Sequence, residues 1–597
     1  MKTKIIVIFV CSLLTATVFP LLKIMESSNG LETSSISSDL PVFPGAEGFG
    51  TNTRAAYGGK INPVVYKVTN LNPSGPGSLK KALEASEPRV VVFEVSGYID
   101  LKPDSKDPRY SVFIKNPYLF VAGQTAPSPG ITIRGGPIVI ETHDVVFQHL
   151  RIRPGDLPDG TNYEYRDSID AHNFFRGNVY NIVFDHLSLS WGTDELSNLW
   201  YDTKDVTYQY CIFSEALDSN LHPKGRHSCG LIIGPDSRRT SVHHNLFAHC
   251  AERNPTVSSS GNVEIVNNVI YNWRWVGTRL TYYHYEPNVC TDPGPKYCNL
   301  IGNYYIPGPN TWDNVAIDIS GDKPPSLFYV YDNIGPANHG NGRITGTEPE
   351  WNIIWHEGWS ESDMKSNTPL FTSNINAQDA TANYNTLFNK VGARPTDRDQ
   401  VDNRIIQEVK ERKGNIIKSQ KEVGGWPDLE ENYRELTIPN NPHSDNDGNG
   451  YTNLEEWLRI YATELEAPNN NQPPNTPAKP VGPTIGEAGT QYKYVTNTKD
   501  LDGDQIYYWF DWGDGTNSGW KGPYSSEKEA HITHMWMAKG DYIVKVKSKD
   551  VYGAESLWSD PLTVGMPISK PYISILLIEF LQNHPPMLKL FQRIVDS

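Results

Sequence analysis

Between Pro41 and about Tyr433 the apolar residues come in short runs, separated by polar loops that Asn and Gly punctuate, and long helical periodicity is rare. The runs repeat a theme. VFQH ends at His149, VFDH at His186, TYQY at Tyr210, VHHN at Asn245, IVNN at Asn268, LIGN at Asn303 and VYDN at Asn333, at intervals of 37, 24, 35, 23, 35 and 30 residues, each followed by an apolar strand. Similar strands joined by loops of uneven length are what stacked coils produce, because one coil cannot bury its apolar face without its neighbours. A β-sandwich also has short strands, but its hairpins favour tight turns at even spacing. The pattern therefore predicts an all-β chain built on a parallel β-helix, with Asn at one corner of successive coils forming a side-chain ladder. Two segments read as helices. Ser78 caps Leu79 to Glu84, which would close the open end of the solenoid, and Val401 to Glu411 places Val401, Ile405, Ile406 and Val409 on one face.

The texture changes after residue 435. DNDGNGYTNLEE, Asp445 to Glu456, fits the calcium-loop pattern in full, so Asp445, Asp447, Asn449, the Tyr451 carbonyl and Glu456 are candidate ligands, with a helix following within 440–466. No good helix precedes the loop, which makes it a structural staple rather than a sensor; an Asp-rich solvated turn is the plainer alternative. Residues 467–484 are rich in Pro and Asn and read as an extended linker. Alternating runs over 485–566 predict a small Ig-like β-sandwich, and the apolar tail 567–597 is too short in any one stretch to span a bilayer. That tail would dock on a partner or on the cell surface, or else cover one end of the sandwich. At the other end, two lysines in Met1 to Lys4 precede an uncharged apolar run, Ile5 to Leu22. Residues 1–27 thus read as a signal peptide and the protein as secreted or cell-surface, a membrane anchor being the alternative.

Charge narrows the partners. A formal net charge of -16 argues against nucleic acid. Yet from His222 to Leu280 the basic residues Lys224, Arg226, Arg238, Arg239, Arg253, Arg274 and Arg279 face only Asp236, Glu252 and Glu264. One stretch of an acidic protein is locally cationic. Among the cysteines, Cys290 and Cys298 are close enough for a short-loop disulfide, whereas Cys211 and Cys250 lie in apolar strands and read as buried thiols.

The segment VHHNLFAHCAERNP, Val242 to Pro255, resembles the HHN and R-x-P stretch of family-1 polysaccharide lyases, the pectate lyases. FPGAEGFG at Phe43, TNLNPSGPGSL at Thr69, DSID at Asp167 and FDHLSLSWGTDE at Phe184 resemble segments of that family in the same order. The resemblance implies a right-handed parallel β-helix over 41–435 and β-elimination on 4-linked galacturonate in pectin, with Ca2+ as cofactor. It implies that Arg253 is the catalytic base. It also implies a calcium site at Asp167 and Asp194, with Asn198 where the family has Asp and Glu195 as a substitute ligand. The proton α to a carboxylate is weakly acidic, so such an enzyme has to neutralise the carboxylate and place a base beside it. A hard cation held by carboxylates serves the first need. Two other positions depart from the family. Ser258 stands at its second arginine and Ser228 at its substrate-binding lysine, which leaves Lys224, His227 and Arg279 as candidate substrate-binding residues. WFDWGDGT, at Trp509 to Thr516, resembles the signature of PKD domains, with Asp511 and Asp514 read as turn residues rather than a catalytic pair. The chain is expected to act as a monomer, with the PKD-like domain or tail attaching it to polysaccharide or to a cell surface. Two other readings stay open: a hydrolase using Asp185, Asp194 and Glu195 as paired carboxylates, and a non-catalytic glycan-binding β-helix.

Overall fold

In a computed structural model, residues 40–104, 109–156, 163–173, 177–219, 222–281, 294–321, 325–336, 353–355, 360–466, 471–551, 553–569 and 587 are described. The signal-peptide reading, Cys290 and nearly all of the tail lie outside them. From Pro41 onward the chain forms one compact unit.

The described strands of the main domain build three long parallel sheets, of eleven, nine and eight strands. A single coil shows how. Tyr180–Asp185 joins the eleven-stranded sheet, Ser188–Ser190 the eight-stranded sheet and Glu195–Trp200 the nine-stranded sheet, before Lys204–Gln209 returns to the first sheet one layer on. Coils stack in strict register, as in Phe184 on Tyr208 and Tyr208 on Val242. Inward residues such as Ile182, Leu189, Leu199, Phe213 and Phe247 fill one continuous core. The helix Leu79–Leu83 caps this core, with Ser78 accepting from Lys81 N and with Leu79, Ala82 and Leu83 buried against it, as the sequence predicted.

The Asn ladder is present. Asn245 Nδ2 donates to Asn268 Oδ1 (3.0 Å), Asn268 Nδ2 to Asn303 Oδ1 (3.0 Å) and Asn303 Nδ2 to Asn333 Oδ1 (2.8 Å), while each Oδ1 also takes the backbone N–H of the preceding rung. The register inferred from sequence needs one correction. Gln209 pairs with His243, so Tyr210 is level with His244 and not with Asn245. His149, His186, Tyr210 and His244 form their own stack, with successive rings 4.9, 5.1 and 5.0 Å apart, one residue before the ladder. All four have positive φ, the left-handed bend that Asn and His tolerate at a corner.

Two outer faces are covered. Helix Gln400–Glu411 buries Val401, Ile405, Ile406 and Val409; Ile405, Ile406 and Val409 pack on Ile212, Leu246 and Val269 of the eight-stranded sheet. It is tied down by Asp399 and Asp402, which pair with the buried Arg153. Helix Asn453–Glu466 lays Leu454 and Leu458 against Val90, Val92 and Val146 of the eleven-stranded sheet. The loops from the eight-stranded to the nine-stranded sheet are left to form a wall: 191–194, 215–219 with 222–228, 249–255 and 272–275, stacked coil on coil.

Candidate active site

That wall holds most of the residues singled out from sequence. Asp167 precedes the strand Ile169–His172, and Asp194 and Glu195 stand where the next coil enters the same sheet. Asp167 Oδ1 accepts from Glu195 N (2.7 Å) and Oδ2 from Asn198 Nδ2 (2.8 Å). Oxygens of Asp167, Asp194 and Glu195 come within 4.8 Å of one another. Arg253, two coils further, forms an ion pair with Glu195 and has φ 61°. The same conformation recurs at other corners, so in Arg253 it serves the turn as well as any chemistry.

Electrostatically the cluster is short of positive charge. Burial and the neighbouring Asp194 carboxylate push Asp167 well above the usual carboxylate range, and burial and Asp167 do the same to Asp170. Asp170 Oδ2 is buried with no hydrogen-bond partner. Asp194 is half-buried, which opposes its ionisation, but His222 and His227 hold it down at about 2. Those two imidazoles stack 4.2 Å apart and aim their Nε2 atoms at Asp194 Oδ1, at 3.5 and 2.5 Å. Against the burial that works to deprotonate it, His227 is raised to about 10, chiefly by Asp194. Four carboxylates therefore face Arg253 and one imidazolium, and the hard oxygen donors fit a divalent cation such as calcium.

Other expectations fall differently. Asn198 points its Oδ1 at His172, so its amide is spent on Asp167 and His172. Lys224 is exposed beside Glu164, at 4.0 Å. Arg279, on the coil after Arg253, pairs with Asp318 (3.1 Å) and approaches Glu252 (3.9 Å). Asp185 lies at a different corner, buried, and accepts from Gln148, Gln209 and His186. It does not join Asp194 and Glu195, which removes it from the carboxylate pair that hydrolysis would require. His222 went unnoticed in the sequence, since a loop of fourteen residues between strands carries no periodicity to show that His222 and His227 meet.

The chain is 32% identical over 418 residues to a probable pectate lyase C of Aspergillus terreus, covering 69% of this chain and 86% of that one. It belongs to the pectate lyase family. A probable pectate lyase C of Aspergillus flavus is 32% identical over 442 residues, 70% of this chain and 94% of that one, and one from Neosartorya fischeri is 33% identical over 390 residues, 65% and 81%. The PKD domain model matches residues 478–560. The pectate lyase domain and this second domain touch through Lys390 on Asp504 (2.7 Å) and Gln505 on Glu47 (2.9 Å). Within the PKD domain, Gly513 N donates to Asp511 and Thr516 N to Asp514, in the turn between the strands Ile506–Asp511 and Asn517–Tyr524. They are turn residues, as read from the sequence.

The second acidic group belongs to the lyase domain's outer cover. Asp445 accepts from Gly448 N (2.8 Å) and Gly450 N (2.9 Å), and Asn449 Nδ2 donates to Glu456 Oε1 (2.7 Å). Burial, with Asp447 and Asp445 nearby, raises Glu456. Tyr451 is buried, and Arg54 clamps the loop through Gly450 O (2.9 Å) and Glu455. The helix predicted after the loop is present, and among the described residues none precedes it directly.

Proposed function

We propose that this chain is a secreted, calcium-dependent pectate lyase that cleaves 4-linked galacturonan by β-elimination, with Arg253 as base. The observation that carries the reading is the meeting of Arg253 with Glu195 in the loop wall, beside Asp167 and Asp194. Asp167, Asp194 and Glu195 would hold calcium, which when bound neutralises the uronate carboxylate so that the neighbouring C–H becomes acidic. Free guanidinium is protonated at all ordinary pH. In the ion pair with Glu195 it stays so, and Arg253 becomes available as a base only once the Glu195 charge is taken up elsewhere. His222 and His227 keep Asp194 ionised and oriented. Asp445, Asp447, Asn449, the Tyr451 carbonyl and Glu456 would bind a second, structural calcium. Secretion through residues 1–27 would bring the enzyme to its polymer as a monomer, and the PKD domain would hold it at polysaccharide or a cell surface.

The test is to incubate the protein with polygalacturonate, with and without a calcium chelator, and to follow the ultraviolet absorbance of unsaturated uronide. Absorbance that rises only with calcium is expected. Reducing ends without absorbance would mean hydrolysis, and binding without either would mean a glycan-binding module.

A further inference from the structure

The loop wall continues beyond Arg253. Arg274 N donates to Ala251 O (2.9 Å) and Trp312 N donates to Arg274 O (2.8 Å), so Ala251, Arg274 and Trp312 occupy one corner of successive coils. With a strand spacing of about 4.8 Å, Trp312 lies roughly 10 Å along the stack from the coil of Arg253. A polymer lying along the wall would pass it.

Trp312 is unusual for so large an apolar side chain in being 60% exposed. Its ring is edge-on to Trp275, with centroids 5.7 Å apart, and takes two guanidinium groups, Arg226 at 5.4 Å and Arg274 at 5.3 Å. Arg274 is neutralised by Asp218 (2.7 Å). Arg226 is exposed, and among the described residues it pairs with no carboxylate; its partner is the Trp312 ring. It directly precedes His227, which touches Asp194. An uncompensated cation and an open indole thus flank the catalytic cluster. The positions where family members carry cations cannot serve here. Ser228 and Ser258 are both buried, with Ser228 Oγ donating to Ala216 O (2.6 Å).

We propose that Trp312 and Arg226 form a uronate subsite. It takes a galacturonate residue further along the polymer than the one that reacts, the sugar's C–H face lying on the indole and its carboxylate on Arg226. This rests on the galacturonan reading of the site. The subsite replaces the missing arginine and lysine and selects an acidic sugar over a neutral one.

The full chain, as wild type, Trp312→Ala, Arg226→Ala and Arg226→Lys, is assayed on polygalacturonate and titrated by tryptophan fluorescence with polygalacturonate and with neutral galactan. Trp312→Ala and Arg226→Ala should each raise KM about tenfold with kcat within twofold, the size of one desolvated cation or stacking contact. Arg226→Lys should recover part of that loss, galactan should give no response, and the fluorescence change should vanish in Trp312→Ala. Wild-type KM and binding in both alanine variants would overturn the subsite while leaving the lyase reading intact. Wild-type enzyme that makes no unsaturated uronide, yet responds to polygalacturonate through Trp312, would overturn the lyase reading and keep the subsite. Should Trp312→Ala lose its native circular dichroism, Arg226→Ala, at an exposed position, decides alone.

Discussion

The cluster of Asp167, Asp170, Asp194 and Glu195 and the loop Asp445–Glu456 are both crowds of carboxylates, and they differ in what satisfies them. In the loop, backbone N–H groups of Gly448, Gly450 and Asn449 turn onto the acids that precede them, and the loop stands largely exposed. In the wall, the acids come from different coils, stacked by the sheet register regardless of their charge, and are buried or, in Asp194, half-buried. Their compensation arrives from neighbouring coils as Arg253, His222 and His227. A local motif can satisfy itself, whereas a site assembled by stacking stays electrostatically unfinished until something binds.

The sharpest way to break that contrast is to change its central cation. Arg253→Lys keeps the charge but not the guanidinium, and if Arg253 is the base, production of unsaturated uronide should fall roughly 10²–10⁴-fold, the usual worth of a positioned base. Turnover at the wild-type rate would remove Arg253 from that role. Next in size, Asp194→Asn should lower activity about 10- to 100-fold at limiting calcium, with recovery as calcium is raised, since the loss of one anionic oxygen weakens but does not abolish a site of several donors. A calcium titration of initial rates reads this out. A calcium dependence unchanged from wild type would place the cation elsewhere.

How much of this could be read from the chain follows the same division. The coils, the helix at Leu79, the helix at Val401 and the helix after the Asp445–Glu456 loop are local patterns, and all four are present in the structure. The Asn ladder was visible too, but three of the repeat segments end in His or Tyr, and alignment by the last polar residue set Tyr210 level with Asn245 when the sheet pairs it with His244. Strand pairing is indifferent to residue type, so a corner that accepts His, Tyr or Asn hides a slip of one. Asp167, Asp194, Glu195 and Arg253 were found through resemblance, because their convergence depends on coil spacing. His227 was named there as a substrate-binding candidate, but its meeting with His222 on Asp194 and the Trp312 loop came from neither source.

His243 and His244, at the end of the stack, give a smaller effect of opposite character, set by burial instead of pairing with a carboxylate. His243 is lowered to about 4 by burial, and His244 is lowered by burial and by His243. A histidine whose folded-state value is depressed leaves the unfolded chain to gain the proton first. Stability is therefore intact above the ordinary value near 6.5 and falls as pH drops below it, levelling off under the folded value. For His243 alone this is about 2 kcal/mol at pH 5. His227 works the other way, its stabilisation being present below the ordinary value and lost as pH rises toward 10. His244 Nε2 is buried without a partner while its ring stacks on Tyr210. His244→Phe should then keep the stack and shed the acid penalty, so its Tm should fall by several degrees less than wild type between pH 7.5 and 5. An equal fall in both would assign the acid sensitivity to other groups.

The smallest expected effect tests the self-satisfied side of the comparison. Glu456 is the bidentate position of the loop, and in the structure it already accepts from Asn449. Glu456→Gln should abolish any rise in Tm on adding calcium that comes from this loop, a rise of a few degrees if calcium stands well above its Kd. Lyase activity at saturating calcium should stay within about twofold, because the loop packs outside the eleven-stranded sheet and the residues proposed for catalysis lie on the opposite loop wall. Tm is read by thermal scanning in calcium and in chelator, and activity by uronide absorbance in the same samples. If the variant loses activity in step with its calcium-dependent Tm shift, then the loop and the wall are coupled, and the outer helix Asn453–Glu466 would be the element through which they act. If the Tm shift survives in Glu456→Gln but disappears in Asp194→Asn, a single calcium in the wall accounts for both stability and chemistry, and the loop is a solvated turn.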